Sequence, residues 1–534
     1  VLLSKGFEIE MYTGTPQGDV VGLSDKIVRD LDGFVREPDS RNLEYTTAPF
    51  CCYDRLLCAL LRPRQKLRNY LQHLGNYTLI PGSTLSLGGT SHFYRSDPNN
   101  PYHDYIERTY GTNVVTASVH INIGISDPEQ LIQACRLLRL EAPLYLALSA
   151  SSPFLDGRAT GYHSTRWGVF PKTPPRVPLF TSHKHFIQWT EAELAAGRMK
   201  NVRHLWSAVR PNGDRRPYIL NRLELRICDL VLNPIDLLAI TALLEARLFQ
   251  LLDDPTLDPL QSSQIPASSR AEDLMVMADE NEAAVARSSL DAQLRHWQDG
   301  RTILARDWIE EIYQQVFPIA KRKGFSCFLS PLKTILRSGN VAQKWLQLHH
   351  QGQSIRDIIQ QEMETTKQQE QILEENYAHR LQLKIGGDGC FVLTMEELIT
   401  LRKYIEERDY TKALELVGEL EEMSKEDKLN KIYSYAVILL VHLIKQQAEK
   451  RTTRSWDVSI HNSVREIKRT NKRRKSGGYY ASEEELTETI DEAFEAAMER
   501  AALEAFEGRH DVHELNQMIE ANKVKKAALT LIIA

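Results

Sequence analysis

Four short segments of the chain alternate apolar residues with side chains that bind cations or anions. Residues i, i+2 and i+4 of a strand share one face, so each segment presents its polar set together. In Gly6-Phe-Glu-Ile-Glu-Met-Tyr12, Glu8 and Glu10 oppose Phe7, Ile9 and Met11. In Asn42-Leu-Glu-Tyr-Thr46, Glu44 stands between Asn42 and Thr46, opposite Leu43 and Tyr45. In Ser118-Val-His-Ile-Asn-Ile123, His120 and Asn122 oppose Val119, Ile121 and Ile123. In Arg222-Leu-Glu-Leu-Arg-Ile227, the face is Arg222, Glu224 and Arg226, backed by Leu223, Leu225 and Ile227. One such strand is ordinary, because any half-buried antiparallel strand has a wet face. Wet faces mix Lys, Thr, Ser and Gln, however, whereas these four concentrate Glu, His, Asn and Arg. Magnesium prefers carboxylate and phosphate oxygens, so glutamates on one sheet face could hold metal that bridges a nucleotide. Arg210, Arg222 and Arg226 could then clamp a carboxylate or phosphoryl group through their planar forks.

A second stretch, Ser151 to Arg166, is small and polar with two glycines and two arginines, and it follows the apolar run Leu144 to Leu148. That composition suits a strand-end loop whose backbone approaches an anionic ligand, and equally a plain surface loop. The chain has no Walker A pattern and no GxGxxG after a strand, which speaks against P-loop and Rossmann nucleotide sites. A GxSxG elbow and an HExxH helix are missing too.

These residues need elements to position them, and 534 residues provide for two or more domains. Hydrophobic residues are 42% and charged residues 26% of the chain, which excludes a collagen-like, disordered or membrane character for the whole. A net charge of -5 gives no overall attraction for nucleic acid. Cys51, Cys52, Cys58, Cys135, Cys228, Cys327 and Cys390 are scattered without CxxC pairs, the pattern of reduced thiols, and predict a cytoplasmic protein. The N-terminal stretch does not read as a signal peptide. The most apolar run, Tyr435 to Ile444, is far shorter than the roughly 20 residues that span a bilayer.

Short alternating runs with Gly and Pro punctuation reach to about Leu252 and predict an α+β fold; beyond Ala271 the pattern is almost uniformly helical. Asp253 to Ser269, with its Asp-Pro steps and serines, reads as an exposed loop. The glycine cluster Ile385-Gly-Gly-Asp-Gly-Cys390 marks a break. We therefore expect a domain over 1–380, a linker over 381–394 and a helical domain over 395–534. Met395 to Glu407, Tyr410 to Met423, Lys425 to Lys450, Ser455 to Thr470 and Ser482 to Glu507 all have apolar residues at helical spacing.

The successive segments Gly6-Phe-Glu-Ile-Glu-Met11, Asp39-Ser-Arg-Asn-Leu-Glu-Tyr-Thr-Thr47, Ser118-Val-His-Ile-Asn-Ile-Gly124, Ser152-Pro-Phe-Leu-Asp-Gly157 with Thr160-Gly-Tyr-His-Ser-Thr-Arg166, and Arg222-Leu-Glu-Leu-Arg-Ile-Cys-Asp229 resemble motifs of glutamate-cysteine ligase. The type is the cyanobacterial one, within the carboxylate-amine ligases that share the glutamine synthetase catalytic fold. The resemblance extends through Ala278 to Arg287 and Ser289 to Gly300 and covers about 1–380.

The resemblance implies a glutamine synthetase-like antiparallel sheet with flanking helices. It implies that ATP, with Mg2+, phosphorylates the γ-carboxylate of L-glutamate and that the amine of L-cysteine attacks the acyl phosphate, the first step of glutathione biosynthesis. It places Glu8, Glu10, Glu44, His120 and Glu224 at metal or nucleotide-phosphate contacts. It makes Arg210 and Arg226 the anion-stabilising catalytic arginines and puts Arg166, Arg222 and Tyr162 at the substrate. A histidine among apolar strand residues is by itself more often structural than a ligand, and the resemblance is what moves His120 to the metal. Cys228 reads as core packing rather than as a thiol catalyst. Two alternatives stand: the same chemistry with another amine acceptor, since no residue is identified that reads a thiol, and a non-catalytic binding protein with a basic helical module.

In the C-terminal region, Lys450, Arg451, Arg454, Arg465, Lys468, Arg469, Lys472, Arg473, Arg474 and Lys475 precede a run with Glu483, Glu484, Glu485, Glu488, Asp491, Glu492, Glu495 and Glu499. A basic helix followed by an acidic one most simply packs by complementary charge or forms two solvated faces; binding to nucleic acid is the lesser reading. Arg454 to Ile467 resembles a small helical family of unknown function common in cyanobacteria, which gives a fold and not an activity; we expect of such an appended bundle a regulatory or protein-interaction module, with a protein partner or self-association through its helices.

Overall fold

The computed structural model describes residues 2–383, 429, 432–433, 435–472, 479–504, 506 and 512–533. The chain divides into two compact units, Val1–His379 and Arg380–Ala534.

The first unit is α+β. Its strands are β1 (Lys5–Gly14), β2 (Phe34–Arg36), β3 (Asn42–Thr46), β4 (Thr78–Ile80), β5 (Val119–Gly124), the small hairpin β6 (Phe154–Leu155) and β7 (Arg158–Ala159), then β8 (Val209–Asn212) and β9 (Arg222–Leu225). Seven of them form one antiparallel sheet in the order β2-β3-β1-β5-β9-β8, with β4 also on β1. Register collects the polar residues. Glu10 pairs with Glu44, Glu8 with His120, Asn122 with Glu224, and Glu224 with Arg210. Directly opposed residues point the same way with Cβ atoms about 5 Å apart, so alternation in each strand becomes one continuous polar face.

The opposite face carries Phe7, Ile9, Leu43, Tyr45, Val119, Ile121, Leu223 and Leu225, all buried. Six long helices share one core with that face: α1 (Tyr53–Gly75), α2 (Pro128–Ser149), α3 (Pro234–Asp253), α4 (Arg270–Ser288), α5 (Ala305–Arg322) and α6 (Ile355–Leu383). Helix α2 packs on β8 and β9. It starts where the Asp127 side chain accepts from the Gln130 amide, with Pro128 in the first turn, where a missing N–H leaves nothing unpaired. The run Leu144 to Leu148, expected to lead out of a strand, is the last turn of this helix. A continuous apolar run does not distinguish a buried strand from a buried helix, and the length of α2 decides for helix.

One charged residue of β1 points inward. Lys5 shares its face with Phe7 and Ile9, and its Nζ lies 2.8 and 2.9 Å from the two oxygens of Glu245 on α3. The Tyr53 hydroxyl and the Leu3 amide donate to the same carboxylate, and both charged side chains are fully buried. This pair ties β1 to α3 and fixes its register, since a slip by one residue would turn Glu8 and Glu10 into the core.

Two further expectations are corrected. Asp253 to Ser269 is not simply an exposed loop: Asp258 is buried and accepts from Arg136 of α2 at 3.1 Å. The region after Ala271 is interrupted by the hairpin β10 (Gln293–Arg295) and β11 (Thr302–Leu304). Helix α6 continues to Leu383, so the first residues of the expected linker 381–394 are still helical. The rest of that segment, and the helices expected at Met395 to Glu407 and Tyr410 to Met423, lie outside the described residues.

The second unit is helical where described: residues 435–449, α7 (Arg454–Asn471), α8 (Glu483–Glu504), α9 (Val512–Gln517) and α10 (Ala521–Ile533). Its core includes Leu439, Leu440, Ile444, Ile467, Ile490 and Ala497. Ser482 and Glu485 cap α8 reciprocally: the Ser482 hydroxyl accepts from the Glu485 amide and the Glu485 carboxylate from the Ser482 amide. Among the described residues, no helix is long and apolar enough to cross a membrane.

Candidate active site

The polar sheet face resolves into two groups of potential ligands. In the first, Glu8 from β1, His120 from β5 and Glu224 from β9 bring one ligand atom each to within 4.8 Å of the others. In the second, Glu10 from β1 and Glu44 from β3 are joined by Glu37, which follows β2. Ser118 connects the groups. Its hydroxyl donates to Glu10 Oε2 at 2.7 Å and lies 3.1 Å from His120 Nε2. A hydroxyl has one hydrogen and a carboxylate only accepts, so Ser118 must accept from His120 and the Nε2 hydrogen is fixed. Nδ1 then faces Glu8 Oε2 at 2.9 Å and Glu224 Oε1 at 3.6 Å. Arg226 Nη1 stands 3.3 Å from the same nitrogen, so a guanidinium already shares the space between the imidazole and the two carboxylates.

Burial is graded across the face. The Glu224 side chain is fully enclosed, Glu10 is 13% exposed and Glu8 25%. Burial alone would push the Glu224 carboxyl up, but Arg210 and Arg226 hold it well below the usual carboxylate range. Arg210 donates through Nε at 2.7 Å and Nη2 at 3.0 Å, Arg226 through Nη1 at 2.5 Å, and the Asn212 amide at 2.7 Å. Burial, with Arg226 beside it, lowers Arg210 to about 10. The second group is the reverse. Among the described residues no cation lies this close to it, and burial followed by mutual repulsion raises Glu37 to about 8 and Glu44 to about 10. Glu8 is lowered despite burial and Glu224, through its bond to His120.

Residues 4–369 match the family model described as glutamate-cysteine ligase family 2 (GCS2). The chain belongs to this family. As a GCS2 protein it is an ATP-dependent ligase. A relative from Rubrobacter xylanophilus, provisionally named glutamate–cysteine ligase 2-1, is 27% identical over 303 residues, covering 55% of this chain and 76% of the relative. One from Solibacter usitatus, provisionally named glutamate–cysteine ligase 2, is 27% identical over 292 residues, 53% of this chain and 72% of the relative. Among solved structures, the glutamate–cysteine ligase of Francisella tularensis in complex with AMP superposes with a TM-score of 0.53 at 14% identity, covering 77% of this chain and 99% of that one. The bifunctional glutathione synthetase of Pasteurella multocida gives 0.55 at 15% identity, with 69% of this chain covered; the match spans about half, 52%, of that protein. These likenesses establish the fold. Residues 397–520 match a domain family of unknown function, DUF29.

In this GCS2 ligase, Glu8, Glu10, Glu44, His120, Glu224, Arg210 and Arg226 are brought together. Three other candidates are not. Arg222 stands one register step along β9 and turns to Asn221 at 3.0 Å and Asp214 at 3.7 Å. Tyr162 packs its ring under the Arg287 guanidinium, 4.9 Å from its centroid. Arg166 is buried behind the end of β9, donating to the backbone carbonyls of Arg226 at 2.8 Å and Ile227 at 3.0 Å. It is therefore a support for Arg226.

Arg166 shares that support with Asp229, a buried carboxylate that accepts from the Ser151 amide and the Ser152 and Ser164 hydroxyls at 2.7 to 2.9 Å. The stretch Ser151 to Arg166 is thus stitched to the strand that carries Glu224 and Arg226. Cys228 packs in the core, its thiol pushed up to about 12 by burial.

Three residues of the candidate site escaped the sequence reading. Glu37 follows a three-residue edge strand too short to show alternation. Ser118 precedes His120 on the same face, and only its position two residues away hinted at it. Arg216 lies in the β8–β9 turn; its guanidinium is lowered by burial, feels both Glu224 and Arg226, and keeps Nη1 buried with no hydrogen-bond partner among the described residues.

Proposed function

We propose that the chain joins the γ-carboxylate of L-glutamate to the amine of L-cysteine, converting ATP to ADP and phosphate through γ-glutamyl phosphate, as the first step of glutathione biosynthesis in the cytoplasm. The observation that carries this reading is the convergence of Glu8, Glu10, Glu37, Glu44, His120 and Glu224 on one sheet face beside Arg210 and Arg226. Joining a carboxylate to a polyphosphate gathers negative charge, and a site made for that reaction needs cations fixed in advance.

The donor set fits Mg2+. It is made of hard carboxylate oxygens with one imidazole, the enclosed carbonyl oxygen of Asn122 beside Glu8 has no hydrogen-bond partner among the described residues, and the burial and mutual repulsion that raise Glu37 and Glu44 are what a cation would relieve. Glu8, His120 and Glu224 would hold one ion and Glu10, Glu37 and Glu44 another, supplying charge neutralisation at the phosphates. In the first step a γ-carboxylate oxygen bonds to the terminal phosphorus as the bond to ADP breaks. Arg226, and Arg216 with its spare Nη1, stand where guanidinium forks can take up the charge on the transferring group. In the second step the amine nitrogen bonds to the acyl carbon, phosphate leaves, and the nitrogen loses a proton. Arg210 touches Glu224 and the backbone carbonyls of Arg203 and Leu205, so its part is to hold the Glu224 carboxylate charged and in place.

The domain reading belongs to the same proposal, with the ligase over 1–380 and the helical module appended to it. The test is ADP release with glutamate and each amino acid in turn as amine. Cysteine giving the highest kcat/KM supports the reading. A different preferred amine overturns the acceptor and leaves the ligase chemistry; no ADP with any amine overturns both.

A further inference from the structure

Arg216 rides on the tip of the β8–β9 turn, whose own bonds fix its shape. Gly213 closes the neck: a Cβ there would meet the Ile219 carbonyl oxygen at 2.1 Å and Leu220 Cα at 2.6 Å, so only glycine lets the two arms approach this closely. The Gly213 amide donates to Asn212 Oδ1 at 2.7 Å, and the Tyr218 and Ile219 amides donate to the Arg215 carbonyl at 2.9 and 2.8 Å. At the tip Arg215, Tyr218 and Ile219 are exposed. Arg216 is half-buried, carries its Nη1 into the interior, and lies close enough to Glu224 and Arg226 for both to act on its charge.

Two hydrogen bonds tie this tip to a separate helix, His183–Ala195. His183 Nε2 lies 2.8 Å from the carbonyl oxygen of Pro217, the residue after Arg216; a carbonyl only accepts, so Nε2 carries the hydrogen. The Tyr218 hydroxyl donates to Glu191 Oε1 at 2.8 Å. His183 and Glu191 stand at i and i+8, on one stripe of the helix. That helix is itself anchored. The Ser182 side chain caps it by accepting from the His185 amide at 3.1 Å, and the His183 amide donates to Glu129 in the first turn of α2 at 3.1 Å. Phe186 packs edge-on against Phe180, whose carbonyl accepts from Arg136 of α2 at 2.7 Å. A turn that only connected β8 to β9 is already closed at its neck. What ties at Pro217 and Tyr218 add is a fixed place for Arg216.

We propose that His183 is a positioning residue of the ligase: with Glu191 it latches the β8–β9 turn so that the Arg216 guanidinium is held where the phosphoryl groups of ATP bind. The latch rests on Arg216 taking up phosphoryl charge, and deepens that reading by naming what aims it. A guanidinium on an untied tip would have to be ordered at each binding event, and that ordering costs affinity. Tied at the two residues that follow it, Arg216 is ordered in advance.

The test is a double-mutant cycle on the full chain, read by calorimetric binding of a non-hydrolysable β,γ-imido ATP analogue with Mg2+ and, alongside, by ADP release with glutamate and the preferred amine. His183→Leu weakens analogue binding by about 3- to 10-fold, the range of one lost hydrogen bond, and raises KM for ATP while KM for glutamate holds. His183→Gln, whose amide Nε2 reaches the same carbonyl, restores both. In an Arg216→Ala background, itself weaker, His183→Leu adds nothing. Tyr218→Phe releases the other tie, acts in the same direction, and replaces His183→Leu in the cycle if that variant does not fold. Unchanged affinity in His183→Leu overturns the latch, as does a loss of the same size with and without Arg216, a His183→Gln variant as weak as His183→Leu, or an Arg216→Ala variant that binds like the wild type. A wild type that binds the analogue but releases no ADP with any amine overturns the ligase reading instead, and the binding cycle still decides the latch. A wild type that does not bind the analogue overturns both.

Discussion

Nδ1 of His120 lies 2.9 Å from Oε2 of Glu8, a contact imposed by the register of β1 with β5 and oriented by the Ser118 hydroxyl on the other ring nitrogen. The imidazole thereby links two acidic groups on four strands. Replacing Ser118 with Ala frees the ring without removing a ligand, so we expect weaker divalent-cation affinity by about 10-fold, the scale of lost outer-shell partners, with the fold unchanged. Titrating magnesium against activity checks it.

Glu224 is the most enclosed of these carboxylates and accepts four hydrogen bonds from Arg210, Arg226 and Asn212. Glu224→Gln keeps the shape and removes the charge. Turnover should fall by about 100-fold or more while circular dichroism remains native. Near-normal turnover would remove Glu224 from the site.

Without divalent cation, stability should decline with rising pH. Glu37 and Glu44 have folded-state values of about 8 and about 10 against an ordinary 4.5, so above 4.5 the unfolded chain holds fewer protons than the folded one. The slope of unfolding free energy with pH is therefore negative from about 4.5 through about 8 and on towards about 10. Chemical denaturation in chelator should show this decline, and magnesium should flatten it.

Asp229 holds Ser151, Ser152 and Ser164 and sits 3.5 Å from Arg166, which carries the backbone of Arg226. Asp229→Asn places an amide donor among donors, and we expect a loss of about 1 to 3 kcal/mol of stability. Because Arg226 shifts while substrate contacts stay, kcat should fall more than KM for ATP rises. Steady-state kinetics separate the two.

Lys5→Met leaves Glu245 charged in the core, and thermal or denaturant unfolding should report about 3 to 5 kcal/mol of destabilisation.

The sheet and most of its site were legible because alternation survives folding: Glu8, Glu10, Glu44, His120 and Glu224 shared a face once the strands paired. What the sequence hid depends on direction and distance. Arg166 has the residue type of an anion clamp but points at backbone carbonyls, and Arg222 lies on the right strand yet turns to Asp214. Glu37 and Arg216 sit beside a short edge strand and in a turn, where no period marks them. The apolar end of α2 looked like a strand because both bury every residue of a short run.

The most direct measurement is ADP formation from ATP with glutamate and cysteine, followed in excess magnesium and in excess chelator, for the wild type and for Glu8→Gln. The account predicts turnover that requires the divalent cation and both amino acids and is lost in the variant. Full turnover in chelator, or an unimpaired Glu8→Gln enzyme, would contradict it.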